Sequence, residues 1–138
     1  MATTTATLTL TSSDLLTDSL SLSATQTLYK VGTTTGLDSI QYEKLEVPTG
    51  DVYDMVDATA LGANKANKIY IANKHTDATK YVDIYIATLC VGRLYAGDWA
   101  FFPLEAAAAT QDVGVEAISA AQVVEFALIH EGKTLVAS

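Results

Sequence analysis

Lys68-Ile69-Tyr70-Ile71-Ala72-Asn73 and Tyr81-Val82-Asp83-Ile84-Tyr85-Ile86 are the stretches that decide the fold. Both are short, rich in β-branched and aromatic residues, and joined by the polar turn Lys74-His75-Thr76-Asp77-Ala78-Thr79. Such runs read as strands, and two of them around one turn predict an antiparallel hairpin. Downstream, Arg93-Leu94-Tyr95 leads into an Ala96-Gly97-Asp98 turn and the aromatic strand Trp99-Ala100-Phe101-Phe102-Pro103-Leu104. Asp112-Val113-Gly114-Val115-Glu116-Ala117 and Gln122-Val123-Val124-Glu125-Phe126-Ala127-Leu128-Ile129 complete the strand set on this side. Only residues 105–111, with their alanine run, invite a helix, and a segment that short does not hold a helix by itself.

Upstream the same period of two recurs. Ile40-Gln41-Tyr42-Glu43-Lys44-Leu45-Glu46-Val47 alternates broadly and ends at a Pro48-Thr49-Gly50-Asp51 turn. Residues 52–56 read as a further strand, and 58–67, small and polar, as a loop with a short helix as the alternative. At the N-terminus Ala6, Leu8 and Leu10 alternate with Thr5, Thr7 and Thr9, and Leu20-Ser21-Leu22-Ser23-Ala24 repeats that pattern. These are the marks of half-buried strands. Between them Ser12-Ser13-Asp14 can cap a single helical turn. Residues 26–31 give one more strand-like run, closed by Gly32-Thr33-Thr34-Thr35-Gly36.

The sum is about nine or ten short strands, with nothing long and amphipathic between them to make a βαβ crossover. The expected fold is all-β: one antiparallel sandwich or barrel, of jelly-roll or immunoglobulin-like type, with little helix. Residues 1–138 form a single domain on this reading, with 1–12 either an extended arm or an edge strand. No internal repeat is visible.

Composition narrows the function classes. The 138 residues are 49% hydrophobic and 17% charged, which excludes intrinsic disorder. A formal net charge of −8 argues against nucleic-acid binding, which draws its affinity from clustered cations. The one cysteine, Cys90, allows neither an internal disulfide nor a cysteine-built zinc site. The N-terminus lacks the basic and apolar regions of a secretory signal. The longest apolar stretch, residues 84–91, is far short of the roughly twenty residues of a membrane helix. The chain reads as a soluble product of a cytoplasm, without a membrane partner.

Candidate chemistry is thin. His75 with Asp77 makes at most two metal ligands in a polar turn, and His130 sits where a strand ends. Asp98 beside Trp99 suggests a sugar site; the plainer reading has Asp98 complete its turn while Trp99 enters the core. Cys90, between Leu89 and Val91, reads as a small buried hydrophobe. Gly32 to Gly36 lacks the Lys-Ser/Thr of a phosphate loop, and no serine has a nucleophile-elbow context. No catalytic residue, cofactor or metal site is expected, and the chain reads as a non-enzyme. Two features point instead to protein contacts. Seven tyrosines accompany Trp99, Phe101 and Phe102, and the N-terminal segment is rich in Thr and Ser with almost no charge.

Gly92-Arg93-Leu94-Tyr95-Ala96-Gly97-Asp98-Trp99-Ala100-Phe101-Phe102-Pro103-Leu104 resembles a turn-and-strand element of small virion structural proteins of tailed bacteriophages. The flanking Ile69 to Asn73, Asp112 to Ala117 and Val124-Glu125-Phe126 match the strands that accompany it there. The likeness covers about the last half of the chain, each piece being a generic β-turn-β pattern. It implies an assembly role without separating capsid from tail, and the leading expectation is a decoration or cement protein at the capsid surface of a virion. Its partners would be copies of itself, for instance in a trimer, and the major capsid protein. A tail or fibre position, and a small carbohydrate-binding β-module built on Trp99, are the alternatives. The residues expected at an interface are Thr5, Thr7, Leu8 and Leu10 of the N-terminal segment, with Tyr95 and Trp99 as core or interface anchors.

Overall fold

The computed structural model describes residues 3–15, 17–106 and 111–131. Its strands are β1 (Thr5–Ser12), β2 (Leu20–Thr27), β3 (Ser39–Val47), β4 (Tyr53–Val56), β5 (Asn67–Asn73), β6 (Tyr81–Ile86), β7 (Leu89–Tyr95), β8 (Trp99–Pro103), β9 (Val113–Ile118) and β10 (Gln122–His130). A four-residue helix, α1 (Ala58–Leu61), realises the helical alternative for residues 58–67. It starts where the Asp57 carboxylate accepts the Thr59 N–H, while the Ala58 N–H donates to Asp112 across the loop.

Eight strands form two four-stranded antiparallel sheets, β3-β10-β5-β8 and β4-β9-β6-β7, while β1 and β2 make a separate hairpin. The pairings are nested: β6 with β7, then β5 with β8, β4 with β9, and β3 with β10. One long antiparallel ribbon is thus rolled up until β10 also meets β5 and β9 also meets β6. That is the order of a jelly roll, and the sandwich expected from the strand pattern is present.

Alternation explains which side of each strand turns inward. Ile69 and Ile71 of β5, Val82 and Ile84 of β6, Val113, Val115 and Ala117 of β9, and Val124, Phe126 and Leu128 of β10 meet in one apolar core. Phe126 is its largest fully buried side chain. One end of the sandwich is closed by two buried amides. Asn73 donates to Leu94 O (2.9 Å) and to Gln122 Oε1 (3.0 Å), and Gln122 donates to Tyr81 O (2.7 Å) and Ile118 O (3.1 Å). This network ties β5 and β10 to the opposite sheet, with every polar atom of the two side chains engaged.

Four expectations are corrected. β5 and β6 do not form a hairpin, because they lie in different sheets. The seven residues 74–80 are long enough to cross the sandwich, whereas the two-residue loop 87–88 does pair its strands, with Ala87 at a φ of 55°. Residues 26–31 are not one strand, since β2 ends at Thr27 and the chain turns into a loop. Cys90 is exposed: a bulge in the β6–β7 ladder, where Gly92 pairs with Ile84 but Cys90 with Tyr85, shifts the alternation and turns residues 89–91 to the surface. Trp99 lies at the surface and not in the core, being 52% exposed, because β8 gives its inner face to Ala100 and Phe102. Residues 13–15 form a bend held by Ser12 Oγ, and the rest of that suspected helical turn, like most of the alanine run, lies outside the described residues.

Candidate functional site

β1 and β2 pair over their full length, from Thr5 opposite Thr27 to Ser12 opposite Leu20. Paired residues share a face of the ribbon, and the face changes with each step. One face therefore carries Thr5, Thr7, Thr9 and Thr11 against Thr27, Thr25, Ser23 and Ser21, hydroxyls throughout. The other carries Ala6, Leu8 and Leu10 against Gln26, Ala24 and Leu22, with Leu20 facing Ser12 at the far end. Leu8, Leu10 and Leu22 are 41%, 45% and 53% exposed, and no residue of either strand belongs to the sandwich core. The ribbon is amphipathic, yet its apolar side is largely uncovered.

The joint between hairpin and sandwich is built from residues 28–37. Leu28 and Leu37 are buried there, and Leu28 donates to Thr4 O and accepts from Leu37 N. Glu131, just past β10, accepts the N–H groups of Val31 (2.6 Å) and Ala66 (3.1 Å). Burial pushes the Glu131 carboxyl up, but these donations and the charges of Lys65 and Lys30 outweigh it and hold it below its ordinary value.

The base of the hairpin stands over the outer face of the β3-β10-β5-β8 sheet. Ala6, Leu8 and Ala24 from the ribbon and Tyr70, Trp99 and Phe101 from the sheet line an open, mainly apolar groove of about 480 Å³. The aromatic patch continues across the strands, since Phe101 pairs with Tyr70, Tyr70 with Ala127, and Ala127 with Tyr42. In the next row Ile129 lies beside Ile40. Ile40 and Tyr42 are 65% and 56% exposed. Among this apolar surface Glu125 is compensated: Lys74 approaches it at 3.8 Å, and the Tyr42 hydroxyl donates to it. The hydrogen bond to that carboxylate raises the Tyr42 pKa, with desolvation and the Glu125 charge adding to it.

The outer face of the other sheet is of a different kind. Asp83, Glu116, Asp54 and Arg93 occupy it, with Tyr81 and Tyr95 at one end. Arg93 donates from Nε to Asp83 Oδ1 (2.8 Å) and lies 3.9 Å from the centre of the Tyr81 ring, which is tilted against Tyr95 at 5.2 Å. Its hydrogen bond to Asp83 moves the guanidinium pKa further upward.

The sequence-derived candidates are therefore divided. Thr7, Leu8 and Trp99 converge on one groove. Leu10 is farther out on the same apolar side, Thr5 lies on the hydroxyl side, and Tyr95 belongs to the opposite sheet. Asp98 completes its turn, accepting the Tyr95 N–H at 3.0 Å. His75 and His130 are half-buried at opposite ends of the first sheet's neighbouring strands, and no group of three potential metal ligands occurs among the described residues. Sequence reasoning missed Ile40, and it flagged Tyr42, Tyr70 and Phe101 only collectively, within the aromatic surplus, without singling them out. The available signal was Trp99-Ala100-Phe101-Phe102, a strand with no polar side. In comparisons with known proteins, no family model matches this chain, and neither a curated protein nor a solved structure is significantly similar to it.

Proposed function

We propose that this chain is a virion structural protein of a tailed bacteriophage, a decoration protein that binds the assembled capsid and stabilises it. The observation that carries the reading is the hairpin. A complete eight-strand jelly roll closes its own core, and β1 and β2 add an uncharged amphipathic ribbon that contributes nothing to that core. Such a ribbon serves contact with another protein, where exposed apolar surface and strand edges supply the binding energy. A jelly roll is also a frequent architecture of capsid proteins, which is support by fold analogy alone. The effect on the shell is thermodynamic: a protein that binds only the assembled form shifts the equilibrium toward it, and symmetry multiplies each weak contact.

The test uses heads and unassembled major capsid protein of the phage whose structural genes adjoin the gene for this chain. The chain is expected to sediment saturably with heads, to ignore unassembled subunits, and to raise the temperature at which heads come apart. Equal binding to free subunits, or none to heads, overturns the reading, and labelling at the tail in electron micrographs replaces it with a tail role. One observation favours a carbohydrate-binding module as the second reading, namely the exposure of Trp99 beside Phe101 and Tyr70 in an open groove. A saturable change in Trp99 fluorescence across a glycan panel would establish it.

A further inference from the structure

We infer that the apolar side of the hairpin and the outer face of the β3-β10-β5-β8 sheet are the two halves of one self-association surface, covered by a second copy of this chain. The inference goes beyond the virion reading and does not depend on it. Within one chain the contact is begun and left unfinished. Ala6 and Leu8 at the hairpin base face Trp99 and Phe101 across the groove, while Leu10 and Leu22 farther along the ribbon, and Ile40 and Tyr42 farther across the sheet, remain exposed. A second copy brings both missing complements at once, the leucine ribbon for the sheet and the aromatic sheet for the ribbon.

Charge points to the same occupant. Copies of a chain with a net charge of −8 repel one another unless they meet where the acids are absent or matched. β1 and β2 carry no charge, and the sheet face holds Lys44, Lys68 and Lys74 against Glu46 and Glu125. The hairpin's far end bears Asp14 and Asp18, so a ribbon laid across a neighbour's sheet carries its two acids toward a face with a cationic excess. The area suffices. Two eight-residue strands present roughly 250 Å² per face, and the exposed side of a four-stranded sheet about 400 Å². A reciprocal contact, ribbon on sheet twice over, then covers about 500 Å² of flat projection per partner, and side-chain relief carries this toward the roughly 800 Å² per partner of a standard interface. Exchange of an identical element between protomers is a low-cost route to this geometry.

Sedimentation velocity of the full chain at concentrations up to about 100 µM, above the weak end for such interfaces, is expected to show a closed oligomer of the 14.6 kDa protomer. The double substitution Leu10→Asp and Leu22→Asp lies outside the core, so the sandwich is expected to keep its circular dichroism while association weakens about 100-fold or more. Ile40→Asp tests the sheet side independently, and emission from Trp99, the only tryptophan, shifts to the red in each monomeric variant. A monomeric wild type, or an unchanged mass in both variants, overturns the inference. So does a monomer whose Trp99 responds saturably to glycans. An oligomer that ignores heads sinks the capsid reading alone, and a monomer that binds heads sinks this one alone.

Discussion

The β1–β2 hairpin and the β5–β10 pair are written in nearly the same pattern and end in opposite circumstances. Leu8 and Leu10 alternate with threonines as Ile69 and Ile71 alternate with Lys68, Tyr70 and Ala72. In β5 the inward residues are fully buried; in β1 they stay close to half exposed. Alternation therefore specifies a two-faced ribbon without saying what covers it. Inside the jelly roll the cover is the facing sheet. For the hairpin, the described residues supply only the partial cover of the groove at its base.

The largest expected contrast sets core against ribbon. Phe126→Ala empties the centre of the sandwich and is expected to cost about 3–5 kcal/mol in urea unfolding followed by circular dichroism. Deleting residues 1–27 is expected to leave the unfolding midpoint of the remaining sandwich almost unchanged, once any dependence on protein concentration is extrapolated away. A deletion as damaging as Phe126→Ala would make the hairpin part of the folding unit and end the contrast.

A smaller effect belongs to the amides that close one end of the sandwich. Gln122→Leu keeps the site filled but strands one Asn73 N–H and the carbonyls of Tyr81 and Ile118, at an expected cost of about 2–3 kcal/mol. Next comes Gly114→Ala. A Cβ at this position of β9 meets the backbone oxygen of Tyr53 at 2.9 Å, and that atom cannot yield without moving β4. The expected loss is about 1–3 kcal/mol, visible in the same unfolding curves. If both variants match the wild type, neither the amide tie between the sheets nor the close β4–β9 approach within one sheet is where the sandwich draws its cooperativity.

How much of this was legible in the sequence follows from range. Strand positions are local: β3, β6, β9 and β10 fall within a residue or two of where alternation puts them. Pairing is not local, and the long loop after Asn73 sends the chain to the other sheet although both strands look like one hairpin. The site divides in the same way. Leu8 and Trp99 stand out in the sequence because each is locally conspicuous. That they share a groove, and that Tyr95, four residues before Trp99, faces away on the other sheet, depends on the β7–β8 turn changing layers. Tyr42 and Phe101 enter the same face through the β3-β10-β5-β8 register, which no window on the sequence contains.

The smallest effect concerns the joint, where ribbon and sandwich are fastened by one carboxylate. Glu131 accepts the Val31 N–H on the hairpin side and the Ala66 N–H on the sandwich side, and its pKa lies below the ordinary value. A carboxyl whose folded pKa is depressed adds stability that is complete above its unfolded value, about 4.3, and is lost as the pH falls through the folded value. Protection of the Val31 amide from hydrogen exchange, corrected for the intrinsic rate, is therefore expected to be full at neutral pH and to fall only in acid, with its midpoint under that unfolded value. Glu131→Ala is expected to remove this acid step and lower protection at Val31 and Ala66 at neutral pH. Amides in the middle of β10 should be untouched, because they answer to the sandwich core. A Val31 amide equally protected at neutral and acid pH would mean that Leu28 and Leu37 hold the joint without the carboxylate. The ribbon would then be fixed to its own sandwich more firmly than an exchange between copies allows.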